Sequence, residues 1–338
     1  MEDIIKPIDR ALLKAELTSE RLLRKTNKGN NEVYLITAKE APNCMMEIGR
    51  LRELSFRTAG GGSGEAYDLD DYDFMGQPYK QLFVWDPDAE EIIGGYRFIH
   101  GSQVFLKEDG QPNLVTSEMY HFSPQFIKEY LPYTIELGRS FVQPDYQSSK
   151  MGAKSLFALD NLWDGIGALI VSVPDTKYFF GKVTVYPHYN AQARDLVFGF
   201  ITKFFPDVDK LVYPIDPFHI ALSEEQINHV FVNNDYDEDY KILKKEVKDL
   251  GTSIPPLVNA YMSLSPTMRM FGTAVNYEFG DVEETGILIA VDEILEDKRI
   301  RHIQTFIESH PDALRLSSCE GEEVFTPKVV TPQADCSR

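Results

Sequence analysis

The chain has 338 residues, with 34 Lys and Arg against 53 Asp and Glu and a formal charge of −19. So acidic a surface excludes a nucleic-acid partner, whose phosphates require a basic face. Apolar residues at 43% and charged residues at 26% are an ordinary globular balance, in a chain long enough for two domains or one enlarged domain.

The N-terminal stretch MEDIIKPIDRALLKAEL is charged and amphipathic and lacks the apolar run of a signal peptide. Helical spacing predicts a helix over residues 4–26. The first 28 residues carry a net positive charge, which suits either a solvated helix packed on the core or one lying on an anionic membrane. Residues 33–38 read as a strand, and residues 45–57 as a helix with Ile48, Leu51, Leu54 and Ser55 on one face. The glycine-rich run 60–64 breaks that helix. It lacks the Gly-Lys-Ser/Thr of a P-loop and reads as a passive loop or as a flap over a site.

Residues 80–85 and 92–100 read as paired strands joined by the turn Asp86-Pro87-Asp88. Residues 133–142 read as a central strand, 151–168 as a helix, 177–185 as a strand and 190–205 as a helix. That order predicts a layered α/β sheet. The run NNDYDEDY at 233–240 lacks the glycine and the terminal glutamate of a calcium loop and reads as a solvated acidic turn. A second apolar block spans 254–291, and a loose tail rich in Ser, Thr and Pro ends the chain. No apolar run approaches the ~20 residues of a membrane span. Cys44, Cys319 and Cys336 form neither a disulfide framework nor a metal motif, so a reducing, cytoplasmic setting is expected.

Four segments carry candidate chemistry: Leu51-Arg52-Glu53-Leu54-Ser55-Phe56-Arg57, Asp70-Asp71-Tyr72-Asp73, Gly94-Gly95-Tyr96-Arg97 and Ile135-Glu136-Leu137-Gly138-Arg139-Ser140-Phe141-Val142. Taken singly, Arg52 reads as a surface charge and Asp70 and Asp73 as turn residues. Glu136 and Arg139 are different, because they interrupt an otherwise buried strand, where charges are rare unless paired or functional. Three residues apart, they point to opposite faces unless a bulge intervenes. A bulge near Gly138 would also leave backbone N–H groups unpaired, as a thioester oxyanion requires.

In that order the segments resemble the acyl-homoserine-lactone synthases and, more closely, the ornithine-lipid-type, hemolysin-like N-acyltransferases of the GNAT superfamily. The resemblance covers residues 45–205, and ELGRSFVQPDYQ is its closest string. Ile254-Pro255-Pro256-Leu257 and Ala260-Tyr261-Met262-Ser263-Leu264 also look like the C-terminal part of the hemolysin-like enzymes. The resemblance implies a GNAT-like α/β (α+β) fold, a mixed, mostly antiparallel sheet flanked by helices, with an additional C-terminal α/β block. The implied parts are an N-terminal helical segment (1–30), the acyltransferase domain (31–215), a C-terminal extension packed on the core (216–315) and a flexible tail (316–338).

The implied reaction is direct aminolysis of a thioester, which suits the lack of a Gly-x-Ser-x-Gly elbow or a Cys–His nucleophile. Glu136, Arg139 and Ser140 take the catalytic positions, with Glu136 as base and amides around Ser140 and Phe141 meeting the oxyanion. Arg52, Phe56, Asp70, Asp73 and Arg97 take substrate-binding positions. Arg97 or Arg139 holds the acceptor carboxylate, while Asp70 and Asp73 orient Arg52 and Arg97. Phe141, Val142, Gln147, Lys150, Gly152 and Lys154 would receive phosphopantetheine. Here the chain departs from the GNAT pattern, with Lys150 where the first glycine of the phosphate loop belongs. This favours the single phosphate of acyl carrier protein (ACP) over coenzyme A, and the alternative is a polar loop capping a helix. An acidic carrier would need a local positive patch, for which Lys150, Lys154, Arg139 and the N-terminal segment are candidates.

The expected product is an amino-acid lipid, made by moving a fatty acyl or 3-hydroxyacyl chain to a small amino acid, glycine before ornithine. No metal and no permanently bound cofactor is expected, and contact with the inner membrane surface is peripheral. The competing readings are an acyl-homoserine-lactone synthase, a coenzyme A-dependent N-acetyltransferase and a non-catalytic hemolysin-like membrane-interacting protein. His188 reads as a cleft residue or as an ordinary polar one. Tyr178, Phe179, Phe180, Phe198, Phe200, Phe204 and Phe205 read as walls of an acyl tunnel or, for most of them, as core.

Overall fold

The computed structural model describes residues 1–147, 153–173 and 175–310, and the side chains of 153–156 fall outside that description. The strands in chain order are β1 (Leu22–Lys25), β2 (Glu32–Ile36), β3 (Lys80–Asp86), β4 (Glu91–His100), β5 (Tyr120–Phe122), β6 (Thr134–Val142), β7 (Tyr178–Val185), β8 (Val212–Pro214), β9 (Arg269–Asn276) and β10 (Val282–Ala290). Eight of them form one sheet in the order β1-β2-β3-β4-β6-β7-β10-β9, and β5 pairs with β8. Every neighbouring pair in the large sheet is antiparallel except β6 and β7, which run parallel. The expected mixed, mostly antiparallel sheet flanked by helices is therefore the architecture observed.

The helices are α1 (Arg10–Glu16), α2 (Pro42–Ala59), α3 (Asp71–Phe74), α4 (Ala153–Ser172), α5 (Ala191–Phe204), α6 (Glu224–Val230), α7 (Tyr236–Asp249) and α8 (Pro256–Met262), with further short turns after β10. One face of the sheet packs on α4 through Leu162, Ile166 and Leu169, and on α5 through Val197 and Phe198. The opposite face packs on α2 through Ile48 and Leu51. Pro42 opens α2, where its missing N–H costs nothing, and Gly60 closes it at φ 96°. Among the described residues no helix is long and apolar enough to cross a membrane.

Three expectations change. The helix expected over 4–26 is only α1, capped by Asp9, followed by a turn and by β1 on the sheet edge. Edge pairing with β2 outweighs the helical spacing of residues 21–25, and Arg24 turns inward to the carbonyls of Asp164 and His302. Of the seven basic residues of this segment, Arg10 pairs with Glu91 and Lys14 with Glu90. In the acidic run, Asp239 is buried and accepts from the backbone N–H groups of Asn233 and Asn234, while Asp235 caps α7. It is a helix start rather than a solvated turn. Finally, the block expected to pack on the core enters the sheet itself, since β10 pairs with β7 from Glu283↔Val185 to Ala290↔Tyr178.

Candidate active site

The parallel pair β6–β7 is in register only over residues 134–137 and 178–181. Beyond that the strands part. Residues 138–142 stay on β4, and residues 182–185 stay on β10. Parallel ladders hold a strand only while its amides meet carbonyls, so the divergence leaves amides of β6 facing an opening. The parting coincides with a bulge. Gly95 pairs with Phe141 and Arg97 with Gly138, so one extra residue of β6 lies opposite Tyr96. Arg139 absorbs it with φ 48°, left-handed backbone that costs a non-glycine residue about 1–2 kcal/mol. The bulge falls one residue beyond Gly138. Gly95 and Gly181 permit the close approach. A Cβ on either would come within 2.7 Å of a neighbouring carbonyl oxygen, that of Leu82 or Leu137.

A cavity of about 700 Å³ passes through this opening and touches both faces of the sheet. Towards α4 and α8 its wall is mainly apolar, with Leu137, Leu159, Phe179, Leu257 and Ile289, beside the hydroxyls of Tyr96 and Tyr261. Towards α2 it is charged, with Glu136, Arg97, Arg139, Lys182 and Glu284 beside Phe56 and Phe279.

Under the charged side lies a buried network. Arg97 binds Asp70 with one terminal nitrogen at 2.8 and 2.7 Å, and Asp73 at 3.3 Å. Arg52, fully buried, sits 3.4 Å from Asp73 and donates to Gln81, which in turn donates to Asp73 at 2.9 Å. Burial works against the charge of Arg97, but Asp73, Asp70 and Asp68 outweigh it and hold its pKa above the ordinary value. For Arg52 burial prevails and the pKa is lowered. Burial would raise Asp70, yet Arg97, Arg139 and Arg52 hold it below the usual range. Arg139 differs from the other two. Its Nε lies 2.9 Å from Asp68 without hydrogen-bond alignment, a terminal nitrogen lies 3.7 Å from Asp70, and the guanidinium covers the Phe279 ring at 4.5 Å. Among the described residues it makes these ion pairs but no aligned hydrogen bond.

Glu136 is 2% exposed and borders the cavity. Its carboxylate accepts from the Tyr79 hydroxyl and from the hydroxyl and backbone N–H of Thr116. Burial raises its pKa against the pull of those hydrogen bonds and of the Arg97 and Lys182 charges. Across the opening, Lys182 pairs with Glu284 at 2.5 Å. Burial would raise Glu284, but Lys182, Asn276 and Arg139 hold it below its ordinary value. Among the described residues the charged chamber thus offers a buried carboxylate with no direct cationic partner and a guanidinium that makes no aligned hydrogen bond, an arrangement matched to a zwitterion.

Comparison with known proteins agrees with this chemistry. Residues 51–156 match the acetyltransferase (GNAT) domain family. A glycine N(alpha)-acyltransferase of Bacteroides thetaiotaomicron is 65% identical over 336 residues, covering 99% of each chain. A second glycine N(alpha)-acyltransferase, from Phocaeicola vulgatus, is 60% identical over 94% of this chain and 98% of its own. This chain belongs to their family of GNAT-type N-acyltransferases. It is accordingly an enzyme that moves an acyl group from a thioester to the amino group of an amino acid. Among solved structures, a coenzyme A-dependent acyl-homoserine lactone synthase overlaps 85% of this chain and 98% of its own, at 9% identity and a TM-score of 0.34.

In this N-acyltransferase Glu136, Arg139, Ser140, Phe141, Val142, Gln147, Phe56 and Arg97 all border the cavity. Arg52, Asp70 and Asp73 do not. They form the layer beneath it. Lys150 and Gly152 lie outside the described residues, as does the Lys154 side chain. His188 stands at the rim, exposed and packed near Gly60. The glycine run is tied down, since buried Glu53 accepts from the N–H groups of Ser63 and Gly64 at 3.0 and 2.8 Å. Phe179 and Phe180 border the cavity, while Phe198, Phe200 and Phe205 are core. Among the described residues no cluster of His, Cys, Asp or Glu is arranged to hold a metal. The acyltransferase site also holds residues that the sequence reading missed. Tyr79, Thr116 and Asp68 carry no signal, because they reach the site from loops and a strand start. Lys182 and Glu284 did carry one, a charge inside an apolar strand, the same signal that marked Glu136.

Proposed function

We propose that this enzyme transfers a fatty acyl chain, 3-hydroxylated by preference, from ACP to the amino group of glycine, as a step of amino-acid lipid synthesis. The observation that carries the reading is the two-sided cavity, apolar on one face of the opened sheet and zwitterion-matched on the other. The thioester would lie in the gap with its chain among Leu137, Phe179 and Ile289. The Tyr96 hydroxyl, fully buried on this side within reach of Ser140 and Tyr261, is a polar group that a hydroxyl near the start of the chain would meet. The relatives' names support glycine as the acceptor.

Arg139 holds the acceptor carboxylate by two parallel hydrogen bonds, and Arg97, its terminal nitrogen engaged by Asp70 and Asp73, shapes the wall. Asp68, Asp70, Asp73 and Arg52 position both arginines. Glu136 takes a proton from the acceptor ammonium, and the freed nitrogen attacks the thioester carbonyl carbon. The oxygen's charge falls on amides of 138–142, the carbon–sulfur bond breaks, and the pantetheine thiol leaves with the second proton of the nitrogen. Lys150, standing in the sequence where the first glycine of the GNAT phosphate loop belongs, favours the single phosphate of a carrier-bound donor, and association with the inner membrane surface would be peripheral.

The test incubates the purified protein with 3-hydroxyacyl-ACP or the matching acyl-coenzyme A, together with glycine or ornithine, and reads N-acyl products by mass spectrometry. N-acylglycine formed faster from the carrier thioester is the expected result. No N-acyl amino acid from either donor overturns the reading, and faster turnover of the coenzyme A thioester overturns the carrier.

A further inference from the structure

One side of the charged chamber has no role in the steps above. Lys182 and Glu284 border the cavity on the same face of the sheet as Glu136. In the β7–β10 ladder Lys182 stands opposite Gly286, which offers no side chain, and reaches along the strand to Glu284. Behind the pair the protein is closed. The Tyr120 hydroxyl accepts from the Gly286 N–H at 2.8 Å and donates to the Glu284 carbonyl at 2.7 Å, and the Met119 sulfur lies 3.4 Å from the Lys182 nitrogen. The ion pair is therefore the floor of the chamber.

Folding does not require charge there. Two residues along the same ladder the rung is Phe180–Leu288, and a buried ion pair is rarely more stable than packed apolar residues of similar volume. The pair also spans the active groups, with Lys182 in electrostatic reach of Glu136 and Glu284 in reach of Arg139.

We propose that Lys182, held upright by Glu284, is the residue that limits the acceptor to an amino acid without a side chain. The inference rests on the amino-acid acylation described above. With the carboxylate on Arg139 and the nitrogen at Glu136, the acceptor's α-carbon faces this floor. A methyl group there presses on an ion pair backed by Tyr120 and Met119. A cationic side chain also meets the like charge of Lys182. Glu284 does not compensate, because Lys182 and Asn276 already occupy it, the latter at 3.1 Å.

The test measures kcat/KM of the full chain with one acyl thioester and with glycine, alanine or ornithine. Wild type must first acylate glycine, and if it acylates no amino acid the underlying reading falls, whatever Lys182 does. Given glycine turnover, Lys182→Ala is expected to raise the alanine-to-glycine ratio about ten-fold or more, the scale of one methyl group in a fitted pocket. The charge-free double variant Lys182→Met with Glu284→Gln keeps side chains of similar volume and is expected to raise the ornithine-to-glycine ratio. Unchanged ratios in both variants overturn the proposal. So does a parallel loss for all three acceptors in both, which makes the pair part of the common machinery instead.

Discussion

Glu136 is pulled in two directions. Burial favours its neutral form, while the hydroxyls of Tyr79 and Thr116 donate to its ionised form. Burial wins, so the carboxyl titrates above its ordinary value of 4.5. A base acts in its deprotonated form, so kcat is expected to rise with pH along a limb whose midpoint lies above that value. Tyr79→Phe removes a donor to the ionised form and should move the limb further up, whereas a limb moving down would contradict the assignment. Glu136→Gln keeps the shape and removes the base. Turnover should fall about 10²- to 10⁴-fold with the circular dichroism spectrum unchanged, and near-normal activity would remove Glu136 from the mechanism.

At the scale of the element, the bulge in β6 sets the geometry. It parts β6 from β7, turns Arg139 into the chamber and holds that residue at φ 48°. The strain separates from the side chain's contacts when two truncations are compared. Arg139→Ala and Arg139→Gly both abandon Asp68, but only glycine accepts the left-handed backbone at little cost. Arg139→Gly should therefore be more stable than Arg139→Ala by about 1 kcal/mol in urea titrations, while both raise the KM for the acceptor. Equal stability would mean that the bulge relaxes once the arginine is gone. This element was legible beforehand because Glu136 and Arg139 break an apolar strand at a spacing that only a bulge reconciles. The N-terminal segment misled for the complementary reason: helical spacing over 21–25 is a local preference, and pairing with β2 is a distant contact that no local pattern reports. Asp68, Tyr79 and Thr116 were invisible for the same cause, since each is brought to the site by tertiary closure. Lys182 and Glu284 broke apolar strands as Glu136 does, but the strand pairing that joins them spans about a hundred residues of chain.

For the whole molecule, the buried charges give stability a defined dependence on pH. Asp70 and Glu284 have folded pKa values below their ordinary 3.8 and 4.5. Each contributes stability that is present above its unfolded value and is lost as pH falls through the folded one. Glu136 has the opposite sign. Its folded pKa is raised, so its contribution is full below 4.5 and is lost as pH rises through the folded value. From these groups alone, stability should climb as pH is lowered towards 4.5 and then fall, with Glu284 contributing the loss below 4.5 and Asp70 joining it below 3.8. Urea midpoints taken from pH 7 to about pH 3 would trace that curve. Glu136→Gln should flatten its upper side, and Asp70→Asn its acid side. Because Asp70 sits among Arg97, Arg139 and Arg52, its loss should also lower stability at neutral pH, where Glu136→Gln should not. An Asp70→Asn protein that keeps the full acid-side fall would show that the arginine network is not what makes the fold acid-sensitive.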